Sequence, residues 1–414
     1  MIEEIAEEPA ELLQRAAALD IGKASLVCCV RVPHESRPGA RRQEVRTYDT
    51  VTPALLELRD WLICQGVTRV VMEATSAYWK PPFYLLEDDI AECWVVNARD
   101  VKNVPGRPKT DKLDAVWLAK LAERGMLRPS FIPPRPQRQL RDLTRYRRTL
   151  THERTREKQR TEKLLEDAQV KLSSVISDIF GKSGRDMLDA LIAGQRNPYA
   201  LAALARGTMR AKTSVLQEAL TGHFTDHHGF LLAMMLSRID ALTAQIGTLT
   251  TRIEQAIAPF AHQVAQLDEI PGIGIIAAQD LIAETGADMS RFPTPAHLVS
   301  WARFALKARQ SAGKTRPGST GKGNPWLGGT LGESAAAAAR TSTFLASRYK
   351  RIVKRRGKQR ALVAVGNSLL TIAWHLLSDP GARFADLGTH LARPPHPPAA
   401  QTPASSPNSN ASPA

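Results

Sequence analysis

Short apolar runs alternate with helix-period stretches along residues 17–130, and that alternation predicts an α/β layer. The run ALDIGKASLVCCVRV reads as paired strands, EVRTYDTV as a hairpin-like return and Pro53 to Gln65 as a helix. TRVVMEAT and AECWVVNA give two more strands. TDKLDAVWLAKLAERGML gives the closing helix, with Thr110 in the N-cap position and Gly125 near the C-terminus.

From Arg135 the pattern changes. Between Arg135 and Lys163 eleven Lys/Arg stand against four Asp/Glu, with no proline after Pro136, which predicts a long basic helix. Over residues 231–258, Leu232, Met235, Ile239, Leu242, Ile246, Leu249, Ile253 and Ala256 recur in three- and four-residue steps. This is the a/d pattern of a coiled coil, and Pro259 ends it. Ser173 to Thr225 reads as shorter helices with loops at Gly181–Gly184 and Asn197–Pro198. A third unit, from about Leu267 to Asp379, reads as mostly helical around the loop SAGKTRPGSTGKGNP. After Gly381, RPPHPPAAQTPASSPNSNASPA lacks the apolar content to offset its ordering entropy, so a disordered tail is expected. The expected divisions are 15–130, 135–260, 265–380 and 381–414.

Charge narrows the partners. The 414 residues hold 56 Lys+Arg and 41 Asp+Glu, a formal net charge of +15, which favours nucleic acid or an anionic membrane surface. The longest apolar stretch, Leu362 to Leu377, is interrupted by Asn367, Ser368, Thr371 and His375 and falls short of the ~20 residues a bilayer needs. No membrane partner is expected. The start MIEEIAEEPAELL is acidic and amphipathic, unlike a secretory signal. Cys28, Cys29, Cys64 and Cys93 show no C-x-x-C spacing. A cytoplasmic protein without disulfides or a thiolate zinc site is expected.

The acids are more specific. Asp20 interrupts an apolar run and Glu73 ends the run VVME, places where a carboxylate is costly to bury without a cation or donor. Asp111 and Asp114 stand three apart on the predicted helix and share a face. Read singly, each acid also fits a helix cap or a chance edge position. Two acids from strand ends and two from one helix face would together suit a pair of divalent ions, Mg2+ or Mn2+, ~3.5–4 Å apart in phosphodiester displacement.

LDIGK, MEATSAYWKPPFYLLE and VNARDVKNVPGRPKTDKLDAVWLAKL resemble the first domain of the insertion-sequence-110 family, the DEDD transposases. The resemblance implies an RNase-H-like, resolvase-like N-terminal domain whose acidic tetrad falls on Asp20, Glu73, Asp111 and Asp114. With the a/d stripe and the helical third unit read above, the expected architecture is this domain, a helical coiled-coil middle and a mostly helical C-terminal transposase domain. Ser76-Ala77 departs from the pattern, since family members commonly have two glycines there.

In the third unit, IPGIGIIAAQDLIAETG carries a Pro-Gly-x-Gly turn whose N–H groups at Gly272 and Gly274 could approach a phosphate. A plain interhelical turn fits nearly as well. Ser311 lies in RQSAGKTR, with Lys314, Arg316 and Lys322 following. This loop supplies cations but no base to activate the hydroxyl. The stretch from SWARFALKARQSAGKTR to AVGNSLLTIAWHLLSD resembles the family's second domain, although Leu306 to Arg309 departs from the proline-containing run often seen before the serine. The resemblance implies that Ser311 is the catalytic serine, which attacks a DNA phosphodiester and conserves its energy in a phosphoserine link.

Arg348 to Arg360 holds eight Lys/Arg and no acid in thirteen residues, with Tyr349 interleaved, and suits a nucleic-acid backbone. The candidate nucleic-acid contacts are Arg145, Arg147 and Arg148 on the basic helix, with Arg351, Lys354, Arg355 and Arg356. His227-His228 reads as a surface pair, Trp374 and His375 as helix packing, and Ala335–Ala339 as a place of close helix approach.

The expected function is a Mg2+-dependent DNA strand-exchange enzyme of an insertion sequence, a transposase, and a site-specific DNA invertase fits the same residues. A structure-selective junction nuclease using only the tetrad is the alternative enzyme, and a nucleic-acid packaging protein the non-catalytic one. The resemblance implies a structured bridge RNA that pairs with donor and target DNA. It also implies dimers that pair into a tetramer. The apolar a/d stripe by itself predicts self-association.

Overall fold

The computed structural model describes residues 13–74, 76–97, 111–305, 309–311, 314–316, 321 and 323–388, with the side chains of Asp111 and of 309–316 left outside. Thr110, Lys322 and the tail beyond residue 388 fall outside these residues. The chain divides into two units at Pro133–Pro134.

The first unit contains β1 (Ala16–Ile21), β2 (Ser25–Pro33), β3 (Arg41–Asp49), α1 (Thr52–Cys64), β4 (Arg69–Glu73), α2 (Lys80–Leu86), β5 (Glu92–Val96) and α3 (Asp111–Glu123). The sheet order is β3-β2-β1-β4-β5. β1, β2 and β3 pair antiparallel, while β4 runs parallel to β1 and β5 parallel to β4. A mixed five-stranded sheet followed by a mostly helical body is compatible with an RNase-H-like first domain. β1 is central, and Ala16 to Leu19 are fully buried. Ala17, Leu19 and Ile21 enter a core with Leu55, Leu58 and Leu62 of α1. Ala18 enters a second core, beneath Ala115, Leu118, Ala119 and Ala122 of α3. The alanines on both elements let this helix lie close to the sheet.

The second unit contains α4 (Arg135–Asp167), α5 (Leu172–Val175), α6 (Lys182–Ile192), α7 (Pro198–Ala202), α8 (Thr213–Ala219), α9 (Asp226–Ile257), α10 (Ala261–Asp268), α11 (Ile275–Thr285) and α12 (Pro295–Trp301). These are followed by β6 (Arg309–Ser311), β7 (Lys314–Arg316), α13 (Pro325–Ala338), α14 (Phe344–Arg356) and α15 (Lys358–Ser378). The two long helices pair antiparallel within the chain. Asp167 meets His228 at 3.2 Å, Glu157 meets Arg238 at 3.8 Å, and Arg154 meets Thr243 at 3.4 Å. At ~1.5 Å per residue this stalk is about 48 Å long. One end is fixed in a core with Leu165, Leu188, Leu216 and Leu236, the other in a core with Leu140, Ile253, Ile257 and helices α10–α15.

The stalk corrects two readings. Burial on α9 follows Leu232, Leu236, Ile239, Leu242, Ile253 and Ile257, with Ala256 exposed, because a straight helix drifts from a strict heptad. The facing helix buries Thr144, Arg147, Glu157 and Thr161 among its leucines, so a coiled-coil seam is not confirmed. The apolar stripe is used inside the chain, and it no longer argues for self-association. His228 is not a surface residue either. It completes the N-terminal cap of α9 with Thr225, and its Nε2 meets Asp167.

Ile239 lies in the core at the far end of the stalk. Ile239→Asp should therefore lower stability by about 3–5 kcal/mol, as an uncompensated buried charge does. Ala241→Asp, on the exposed face, should stay within about 0.5 kcal/mol. Urea unfolding of both variants measures the difference.

Two helical stretches, Asp226–Asp268 and Lys358–Ser378, are long and apolar enough to cross a membrane, each holding an 18-residue window, of mean hydropathy 1.3 and 1.5 respectively. Leu369, Leu370 and Ala373 of α15 pack with Ile253 and Leu331 in one core, while Phe230 and Met234 of α9 stay exposed. The ordered chain also runs past Gly381. Gln266 donates to the carbonyls of Asp379, Pro380 and Ala382 at 3.1, 3.2 and 3.1 Å. Asp386 accepts from the Phe344 N–H at 3.1 Å.

Candidate active site

Ala18 stands opposite Val71 and Leu19 opposite Met72 across the parallel β1–β4 pair. The pairing ends there, and Asp20 and Glu73 are the residues that follow it on the two strands. Strand alternation fixes the face they share. Ala18 and Val71, two residues back, lie in the core under α3, so Asp20 and Glu73 point to the α3 side.

α3 runs antiparallel to β1. Its last residue, Glu123, accepts from Arg31 at 2.6 Å, and Arg31 is the sheet partner of Ala16. The Glu123 carbonyl accepts from Leu13 N at 3.0 Å. Nine residues of helix from Glu123 back to Asp114 rise about 13.5 Å, and four residues of strand from Ala16 to Asp20 rise about 13 Å. These rises bring the Asp114 backbone to about the height of Asp20 along β1, in the first turn of α3, where the helix dipole favours negative charge. All three acids are half-buried.

Asp111 opens the same helix one turn earlier, and its side chain lies outside the described residues. Among the described residues no three or more His, Cys, Asp or Glu form a group that could hold a metal ion. The donor chemistry on this edge is all hard carboxylate oxygen, which fits a divalent cation of the Mg2+ or Mn2+ type. Burial raises the Cys28 thiol well above its usual range and pushes Cys29 up to about 11 and Cys93 up to about 12.

Three residues past Glu73, Ser76 takes φ 49°, a left-handed conformation costing a non-glycine residue about 1–2 kcal/mol. This is where the resembling sequences commonly have glycine, and the backbone supplies the reason. Ser76→Gly should leave stability unchanged or slightly raised, whereas the β-branched Ser76→Val should lower it by about 1–2 kcal/mol. Denaturant unfolding of the pair measures this.

In the second unit Ser311 ends β6 and pairs with Lys314 at the start of β7, and Arg309 pairs with Arg316. The serine segment carries a short antiparallel strand pair where the sequence suggested a Gly/Lys-rich loop. The side chains of Ser311, Lys314 and Arg316, like all of Lys322, fall outside the described residues.

The Pro-Gly-x-Gly turn has a packing reason. Gly272 has φ 93°. A Cβ there would collide with the Ser334 carbonyl and lie 2.7 Å from Ala338 N. Close approach to the alanine-rich α13 thus accounts for Gly272 without a phosphate. Gly274 is the N-cap of α11. An open cleft of about 790 Å³ beside the turn is lined by Glu254, Asp268, Glu333, Ile275 and Ile276 among others, and its carboxylates disfavour an anion.

The stalk arginines are also engaged internally. Arg147 is 3% exposed, and it donates to Gln279 at 2.7 Å and Asp280 at 3.1 Å. Its reading as a phosphate contact is corrected, since its guanidinium is spent inside the unit. Arg145 clasps Glu284 with two bonds of 2.7 and 2.9 Å. Arg148 donates to Thr330 at 2.9 Å and Glu333 at 2.5 Å. Burial lifts the Asp280 carboxyl above its usual range, against the pull of Arg147 and Arg148. The signal for this network was present in the sequence. Asp280 and Glu284 lie one turn apart on α11, and Arg141, Arg145 and Arg148 lie one turn apart on α4. By contrast Arg351, Lys354, Arg355 and Arg356 lie on the exposed side of α14.

Comparison with known proteins gives a family. A search of curated proteins found no match. Residues 17–169 match the family model for DEDD transposases of the IS110 type. Residues 264–350 match a second model, described as the transposase IS116/IS110/IS902 family. The first match holds Asp20, Glu73, Asp111 and Asp114 and the second holds Ser311, and on these two matches the chain belongs to the IS110 family of transposases.

Proposed function

We propose that this transposase cuts and rejoins DNA strands of an insertion sequence through the acidic tetrad and Ser311, acting in the cytoplasm. The observation that carries the reading is the pair of family matches, of which residues 17–169 span Asp20, Glu73, Asp111 and Asp114 and residues 264–350 span Ser311. Asp20, Glu73, Asp111 and Asp114 would hold Mg2+ or Mn2+. When bound, the ion supplies Lewis-acid stabilisation of charge on the phosphate oxygens.

The chain's own part in the chemistry begins with Ser311. Its Oγ forms a bond to phosphorus as the bond from phosphorus to a deoxyribose oxygen breaks. The serine proton passes to a carboxylate oxygen or water, and the departing oxygen takes up a proton from water. The number of phosphate ester bonds is unchanged. A deoxyribose hydroxyl of a second strand can then attack the phosphoserine, releasing Ser311 and rejoining DNA. The exposed cations of α14 would hold the nucleic-acid backbone without regard to sequence. Sequence choice would come from a structured bridge RNA, as the family resemblance implies, and assembly from dimers and tetramers. Phe230 and Met234, exposed and one turn apart on α9, give that assembly an apolar face.

Incubation with Mg2+ and DNA carrying the element's ends, followed by denaturation, should trap DNA covalently on the protein. Chelation of the metal should abolish the adduct. Metal-dependent cutting without any adduct would favour the junction nuclease.

A further inference from the structure

The segment carrying Ser311 leaves α12 at Ala302 and returns to helix at Asn324, and both of its stems are fastened. On the entry side Phe304 N donates to the Val299 carbonyl at 3.0 Å, and the Asn367 amide donates to the Phe304 carbonyl at 3.3 Å. The Phe304 ring lies so close to Gly366 that a Cβ there would stand 2.6 Å from it. On the exit side the Asn324 Oδ1 accepts from Trp326 N at 3.0 Å and Leu327 N at 3.4 Å, capping α13. Its Nδ2 donates to Glu284 at 2.5 Å. The stems also touch each other, since a Cβ on Gly323 would lie 2.9 Å from the Ala302 carbonyl.

Glu284 is 2% exposed. Burying its charge is costly unless it is paired, and Arg145 with Arg141 already supplies that pairing. The bond to Asn324 is additional. Capping needs only a side-chain oxygen, and Ser or Asp caps as well as Asn. Asp would set two carboxylates against each other, and Ser would leave Glu284 one donor short. Asn alone both caps the helix and donates to the acid. A hairpin of two three-residue strands is too short to hold its own conformation, so its order depends on its stems.

We propose that Glu284 is a positioning residue: through Asn324 it fixes the exit stem and thereby orients the hairpin that presents Ser311. The catalytic consequence rests on Ser311 being the nucleophile, while the structural consequence does not. Glu284 also joins this stem to the stalk helix α4, the longest element of its unit.

The test uses the full-length chain and two readouts. Asn324→Ser keeps the cap and removes the donor. It should raise hydrogen exchange at the amides of Arg309–Arg316 several-fold while the interior of α13 stays protected. It should slow adduct formation at saturating DNA by about 10- to 100-fold, as misplacement of a reacting group does, with DNA affinity unchanged. Asn324→Asp should be at least as impaired. Adding Glu284→Gln to Asn324→Asp exchanges donor and acceptor, leaves one carboxylate for the arginines, and should restore both readouts.

Unchanged exchange at Arg309–Arg316 in Asn324→Ser would overturn the proposal, and so would a double variant no better than Asn324→Asp alone. Ser311→Ala separates this failure from that of the nucleophile reading. An adduct surviving in Ser311→Ala refutes the nucleophile, and the exchange measurement still decides the role of Glu284.

Discussion

Asp20→Asn and Glu73→Gln, made singly, should each lower Mg2+-dependent strand cleavage by about 100-fold or more. Loss of a carboxylate ligand removes several kcal/mol of charge stabilisation at the phosphate, and each ~1.4 kcal/mol is a factor of ten. Affinity for nucleic acid should hardly change, because it rests on the basic surface. The fold should not suffer either. Both side chains are half-buried at strand ends, and each substitution is nearly isosteric, so the melting temperature should change by only a few degrees. Loss of activity with stability kept marks a functional residue rather than a structural one. Magnesium ions should raise the melting temperature of the wild-type protein by mass action and raise that of Asp20→Asn less. Full cleavage in either variant would remove that residue from the site.

Ser311→Ala should eliminate the covalent protein–DNA adduct and strand joining with it. The side chain is small, and the hairpin backbone pairs through main-chain groups, so the substitution removes little besides the hydroxyl. The serine and the acids belong to different units of the chain. A mixture of Ser311→Ala and Asp20→Asn proteins should therefore recover part of the activity if an active centre draws its serine and its acids from different copies. A mixture as inactive as either variant would place both groups in one chain. A hydrolytic nuclease would cut equally well without Ser311.

The elements that carry the carboxylates were legible because their patterns are local. β1, β4 and α3 follow from the apolar runs around Asp20 and Glu73 and from the helix period after Asp111. What put Asp20 and Glu73 on the same face of the sheet was not local. It needed the parallel β1–β4 register, which depends on pairings between distant residues. The a/d stripe of α9 was read correctly as apolar, but nothing in its spacing says that its partner is α4 of the same chain. Arg145, Arg147 and Arg148 misled for a related reason. A run of positive charge on a helix looks the same whether it faces phosphates or the buried acids Asp280 and Glu284, and only the fold shows those acids opposite. Ser76 worked the other way, since a departure from the family pattern became intelligible once its φ was known.

The central claim is that this chain breaks DNA by transferring a phosphate to its own serine. The most direct measurement is to trap the wild-type protein on DNA with Mg2+, digest both polymers and locate the linked nucleotide by mass spectrometry. The account predicts a nucleotide phosphate on the peptide containing Ser311, and none in Ser311→Ala. DNA cut to completion with no nucleotide on any peptide, or a nucleotide on a different residue, would contradict it.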